Sequence, residues 1–218
     1  MKYDLLKSFA NTPFFTVAGF KQILDADESE SQRVREMLSR WVKSGHVVRL
    51  KKGVYMTHQF YEQHQGHPSF LPAVSAILSP LSYVSLEYIL QHAGLLSEAT
   101  YPITAVTLKN THQISNIMGT FTYRHIRLPL YFGFNQDTFS GMIFNRATVA
   151  KALFDYFYFR PLPPGFQKHL FNLAEEIRLN LELLTSEMWA EFRSYIDASA
   201  SPKMRFVLEN LRRNKWLP

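Results

Sequence analysis

The chain has 218 residues, 46% of them hydrophobic and 15% aromatic, with a formal net charge of +6 and no cysteine. That much apolar material supports a substantial core and argues against wholesale disorder. The lack of cysteine excludes a disulfide framework, a thiolate metal site and a cysteine nucleophile, and no run reaches the roughly eighteen apolar residues of a membrane span.

The opening Met1-Lys2-Tyr3-Asp4 is not the start of an apolar leader, so a soluble protein of the reducing cytoplasm is expected. The spacing of Leu5, Leu6 and Phe9 predicts a first helix over 3–10, broken by Asn11-Thr12-Pro13. Thr16 is placed to cap a second helix over 17–24. Ser29 is the next cap candidate, for a third helix that runs to Lys43 and stops at Ser44-Gly45. Two β-patterned runs, 46–50 and 54–57, flank Lys51-Lys52-Gly53 and predict a hairpin with glycine where the turn needs positive φ. Three helices and a basic hairpin follow the order of a winged helix-turn-helix. Residues 58–71, richer in Gln, His, Gly and Pro, read as a linker. Beyond them the pattern predicts helices over 72–78 and 85–92 and strands over 103–108 and 121–126. Two further strands fall near 130–134 and 141–144, and helices over 148–159, 166–184, 187–196 and 206–213. The expected fold class is α+β: a winged helix-turn-helix over 1–57 and a mixed α/β domain over 72–218 that ends in helices.

Charge is unevenly placed. Residues 33–52 hold seven basic residues and one acid, and residues 203–215 hold five basic and one acid. Residues 57–202 hold nine basic and eleven acidic residues, so the positive excess sits at the two ends. Clustered positive charge is the footprint of a polyanion partner. The blander reading is a solvated surface, and for the C-terminal cluster alone it is the preferred one.

In the third helix Val34, Leu38 and Trp41 recur on one face. The opposite face collects Ser29, Gln32, Glu36, Ser39 and Lys43, flanked by Arg33, Arg35 and Arg40. Glutamine pairs with adenine and arginine with guanine through two hydrogen bonds each, while other cations hold phosphates. The first turns of a recognition helix reach the bases, which favours Ser31, Gln32 and Arg35 as readers. Arg49, Lys51 and Lys52 of the hairpin would lie along phosphates or in the minor groove. The competing reading is an ordinary amphipathic helix beside a solvated hairpin; the full order of elements, with charge confined to helix and hairpin, favours double-stranded DNA.

No phosphate-cradling glycine loop, G-x-S-x-G or H-E-x-x-H occurs, so no catalytic residue, cofactor or metal is expected. His64-Gln65-Gly66-His67 has a loose metal-like spacing without an acidic partner and reads as loop histidines. Lys151 and Asp155 stand four apart on one helix and read as an ion pair.

Three segments resemble the AbiEi-type antitoxins, the regulator half of abortive-infection toxin–antitoxin operons. Leu50-Lys51-Lys52-Gly53-Val54-Tyr55 is similar to that family's basic-Gly-x-Tyr turn. Tyr83-Val84-Ser85-Leu86-Glu87-Tyr88-Ile89-Leu90-Gln91-His92-Ala93-Gly94-Leu95 resembles its Ser-led helix ending in His-Gly-Leu. Residues 147–155 resemble its Thr-x-x-Lys-Ala-Leu-x-Asp helix, with Ala150 where an acidic residue is common. The resemblance implies a winged-helix repressor of its own promoter and a second domain that neutralises a nucleotidyltransferase-like toxin, with Lys151 and Asp155 as the expected antitoxin surface. It implies no enzyme activity and no metal. A dimer on DNA is compatible with it. Two other readings stay open: a regulator whose second domain senses a ligand or protein, and a DNA-modifying enzyme.

Overall fold

The computed structural model describes residues 4–25, 27, 30–97, 102–164 and 171–217. Helix α1 (Asp4–Ser8), strand β1 (Phe15–Thr16), α2 (Val17–Ile23) and α3 (Ser31–Lys43) come first. Thr16 Oγ1 accepts from the Gly19 amide at 3.0 Å and caps α2, as its residue type predicts. Tyr3, the Leu5 side chain and Ser29 lie outside the described residues; Glu30 occupies the cap position of α3. Strands β2 (Val47–Lys51) and β3 (Val54–Thr57) form the expected hairpin, with Gly53 at φ +80° in its turn. Strand β1 pairs antiparallel with β3, so the small sheet runs β1-β3-β2. Phe9, Phe15, Phe20, Val34, Leu38, Trp41, Val47 and Tyr55 close a core between these helices and one face of that sheet.

The stretch expected as a linker is largely helical. Helix α4 (His58–His64) starts where Thr57 Oγ1 accepts from the Phe60 amide at 3.2 Å, and α5 (Phe70–Leu78) begins before residue 71. Phe60 is 2% exposed and belongs to the larger core. A seven-residue helix needs only one such anchor, so its remaining positions take Gln, His and Glu without breaking it.

The larger core surrounds a six-stranded mixed sheet. Its strands are β4 (Ser82–Val84), β5 (Ile103–Thr107), β6 (His112–Asn116), β7 (Gly119–His125), β8 (Phe134–Phe139) and β9 (Met142–Ala147), ordered β6-β7-β5-β4-β9-β8. The β4–β9 and β5–β7 pairs are parallel and the others antiparallel. The register puts Val84, Ala105 and Tyr123 on one face and Tyr83, Val106 and Arg124 on the other. Helix α5 covers the first face, where Tyr123 Oη donates to the Ser75 carbonyl at 2.9 Å. Helix α7 (Val149–Phe159) covers the second, with α6 (Glu87–His92) beside it. Then come α8 (Leu173–Glu176), α9 (Ser186–Ser199) and α10 (Pro202–Arg213), the last two packed on α7. Over 171–184 a short helix and a 3-10 turn at Leu181–Leu183 replace the long helix the spacing suggested; 165–170 lie outside the described residues. Strands β4 and β6 were not expected: three residues of β4 carry no readable period, and β6 (HQISN) is an exposed edge with little apolar signal; the strand expected over 130–134 instead begins at Phe134 as β8, after a 3-10 turn at Leu128–Leu130. Among the described residues no helix is long and apolar enough to cross a membrane.

The two cores meet at the hairpin. Alternation along β2 and β3 sends Val47 and Tyr55 to the helices, while Val48, Leu50 and Met56 face the larger core.

Candidate nucleic-acid interface

Helix α3 buries Val34, Leu38 and Trp41 and turns Gln32, Arg33, Arg35, Glu36, Ser39, Arg40 and Lys43 to solvent. Its first turn is internally engaged. Lys21 Nζ donates to Ser31 Oγ at 2.8 Å, Gln32 Nε2 donates to Glu36 Oε1 at 2.9 Å, and Arg33 Nη1 meets Glu30 Oε1 at 2.7 Å. The last two contacts are exposed and easily exchanged for others. Arg35, Arg40 and Lys43 make no ion pair or side-chain hydrogen bond among the described residues. An open groove of about 790 Å³ runs between α2 and the start of α3, lined by Val17, Lys21, Gln22, Asp25, Ser31 and Arg35 among others. Lys21 belongs to this surface and was missed in the sequence; it directly follows buried Phe20, the position at which a helix turns from core to neighbour.

The hairpin cations diverge. Arg49 lies opposite Tyr55, on the α3 side of the sheet, and is exposed, as is Lys52 in the turn. Lys51 is a correction: its Nζ donates to the carbonyls of Ile77 and Leu78 at 2.8 and 2.9 Å, at the C-terminus of α5. A cation there satisfies carbonyls the helix leaves unpaired. Burial, and secondarily the nearby Lys109 charge, hold the Lys51 ammonium below the ordinary lysine range. The register irregularity between Arg49 and Lys51 swings it inward. Across the same edge Asn116 Nδ2 donates to the Leu50 carbonyl at 3.1 Å, tying β6 to the hairpin.

Lys151 and Asp155 form the expected i, i+4 pair, with Nζ 2.8 Å from Oδ1, but both are 0% exposed. They are not a surface, which corrects the antitoxin-surface expectation. Tyr83 Oη and Ser85 Oγ donate to Asp155 Oδ2 at 3.0 and 2.8 Å, and Lys151 Nζ also donates to the Leu130 carbonyl at 3.0 Å. The ammonium lies 4.8 Å from the Phe154 ring centre and 5.3 Å from that of Tyr195. Burial pushes the Asp155 carboxyl up and the Lys151 ammonium down, and their pairing opposes both shifts. Thus Tyr83 and Ser85 from one resemblance segment and Lys151 and Asp155 from the other converge on a single buried cluster.

The histidines of the loose metal-like pair are used otherwise. His64 stacks on Phe60 at 4.0 Å and His67 on Phe139 at 4.4 Å. No protein-family model matches the chain, and no curated protein matches it.

Proposed function

We propose that this chain is a regulator that binds double-stranded DNA, with α2, the following turn and α3 as a helix-turn-helix and β2–β3 as its wing. The observation that carries this reading is the set of exposed cations Arg35, Arg40 and Lys43 on α3 with Arg49 and Lys52 on the adjoining hairpin, none of them engaged by another described residue. Arg35 sits one turn into α3, where a recognition helix meets base edges; Arg40, Lys43, Arg49 and Lys52 suit phosphates. Gln32 and Ser39 complete the reading face. Lys51 leaves this set.

An electrophoretic shift titration against the DNA upstream of its own gene and a scrambled duplex tests the reading. Arg35→Ala is expected to remove about 1–3 kcal/mol of preference for the first over the second. Equal affinity of the parent for both duplexes, or an unchanged preference in the variant, overturns it.

Repression of its own operon and neutralisation of a nucleotidyltransferase-like toxin remain proposals supported by the resemblance of the three segments. Lys151 and Asp155 no longer supply a contact surface for the second role.

A further inference from the structure

We propose that the cleft between α6, the β5–β7 strands and the end of α7 binds a small organic anion that also carries a hydroxyl or amino group. The cleft holds about 420 Å³ and is lined by Leu86, Glu87, Thr122, Arg124, Phe159 and Arg160 among others. It lies on the sheet face opposite α5, apart from α3 and the hairpin, so it does not depend on DNA binding.

Two arginines reach this cleft from different elements. Arg124 projects from β7 beside Thr122, on the same face, and makes no ion pair among the described residues. Arg160 follows α7 and is already oriented: its guanidinium lies over the Tyr156 ring at 5.2 Å, Nη1 donates to Tyr156 Oη at 2.5 Å, and its carbonyl accepts from Lys203 Nζ at 2.9 Å. The planar forks of two arginines match a carboxylate or phosphate, and little ordering remains to be done at Arg160. Among the described residues Glu87 is the one carboxylate lining the cleft, and it has no ion pair. It accepts from a hydroxyl or amine, which selects against a bare anion. Phe159 and Leu86 supply apolar walls.

The wall at Leu86 is under backbone strain, at φ +61° and ψ −140°, a conformation costly to any residue but glycine. It is held from both sides. The Ser85 amide donates to the Thr104 carbonyl at 3.1 Å, and Thr104 Oγ1 donates to the Ser85 carbonyl at 2.8 Å. Beyond Leu86 the Tyr88 amide donates to Thr104 Oγ1 at 3.1 Å, and Ser85 Oγ is anchored on Asp155 at 2.8 Å. The buried Lys151–Asp155 cluster therefore fixes the strained wall of a cleft bearing two arginines. Strain maintained by such a network is typical of ligand sites.

Thermal unfolding of the full chain tests the assignment, with ribose 5-phosphate as the phosphate probe and malate as the carboxylate probe, against ribose and potassium chloride. One of the two anions is expected to raise the melting temperature saturably, by roughly 5–10 °C at about a hundredfold excess over its Kd. Whichever acts identifies the anion class. Arg124→Ala is expected to melt near the parent without ligand and Arg160→Ala somewhat below it, through its lost Tyr156 contacts, and each is expected to weaken binding at least about tenfold relative to its own unliganded melt. Absence of a saturable shift with both anions up to about 10 mM overturns the site. A shift that survives in both variants, or equals that of potassium chloride, overturns it equally, because the ion then binds elsewhere.

Discussion

Lys43 and Lys151 each lie on a helix within a few residues of aromatic side chains, yet one stands in solvent and the other is 0% exposed. Lys43 ends an amphipathic helix whose opposite face is Val34, Leu38 and Trp41, so its charge remains available to a partner. Lys151 lies on a helix apolar around its whole circumference, with Ala150, Ala152, Leu153, Phe154 and Phe157 all buried, and there a charge must find its partners inside the fold. Lys51 and Lys203 fall between these extremes. Lys51 closes the C-terminus of α5, and Lys203 donates to the Tyr158 and Arg160 carbonyls at the end of α7. Both count toward the positive excess of the two chain ends, and both are spent inside the molecule. Net charge in a window therefore overstates the surface offered to a polyanion.

The largest test is to separate the two regions. A 1–57 fragment would uncover Val48, Leu50 and Met56, which pack into the larger core, at a cost of up to about 5–9 kcal/mol. That approaches the whole stability of a small domain, so the fragment is expected to lack a cooperative melt by circular dichroism. A fragment that melts like the full chain would show the hairpin to be independent of the body.

Asp155→Ala comes next. It leaves Lys151 as a buried unpaired charge and is expected to destabilise by about 3–5 kcal/mol in urea titration. Lys151→Glu would place two carboxylates in the same cluster and is expected to unfold the body rather than remove one surface function. A loss below about 1 kcal/mol would mean that the cluster is hydrated.

Alkaline pH probes the same interior without mutation. Burial raises Tyr83 and Tyr123 above the ordinary value of 10.0, with the Asp155 charge adding to the shift of Tyr83. Their contribution is thus complete below pH 10 and declines as pH rises beyond it, by about 1–1.5 kcal/mol each at pH 11. Lys51 and Lys203, lowered by burial, act in the opposite sense only in the window beneath 10.5. Melting curves from pH 8 to pH 11 are expected to fall together with the onset of tyrosinate absorbance; a flat profile would contradict the buried-tyrosine account.

The smallest effects sharpen the contrast within the hairpin turn. Lys51→Ala is expected to cost about 1–2 kcal/mol of stability, through lost charge-assisted bonds at the α5 terminus, and to leave the salt dependence of DNA binding nearly unchanged. Lys52→Ala is expected to leave stability alone and make the log–log salt slope shallower by about one. The reverse pattern would return Lys51 to the DNA-facing set.

Much was legible because local rules governed it. Thr16 is a cap that residue type announces, and Gly53 sits where a tight turn needs positive φ. The i, i+4, i+7 apolar spacing of α3 named its buried face. Helix α4 was readable too: Thr57 is a cap residue, and Phe60 and His64 share one side of the short helix. Its Gln and His content outweighed that signal because composition averages over faces, whereas burial acts on one of them. The all-apolar neighbourhood of Lys151 likewise announced a core helix, although helical spacing alone suggested a surface pair.

What the sequence by itself determined is what a few neighbouring residues settle: the face that α3 buries, the cap of α2, where the hairpin turns, and that Lys151 and Asp155 meet. Only the tertiary structure decided how deep each charge lies and with what it pairs. Depth depends on partners far along the chain, and no local pattern encodes them. Leu130, Tyr83 and Ser85 come to the Lys151–Asp155 pair from other elements, Ile77 and Leu78 draw in Lys51, and β6 reaches the hairpin through Asn116. A lysine, with four methylenes between backbone and ammonium, takes whichever acceptor the fold brings within its reach, so its role follows from the packing of the sheet and helices around it.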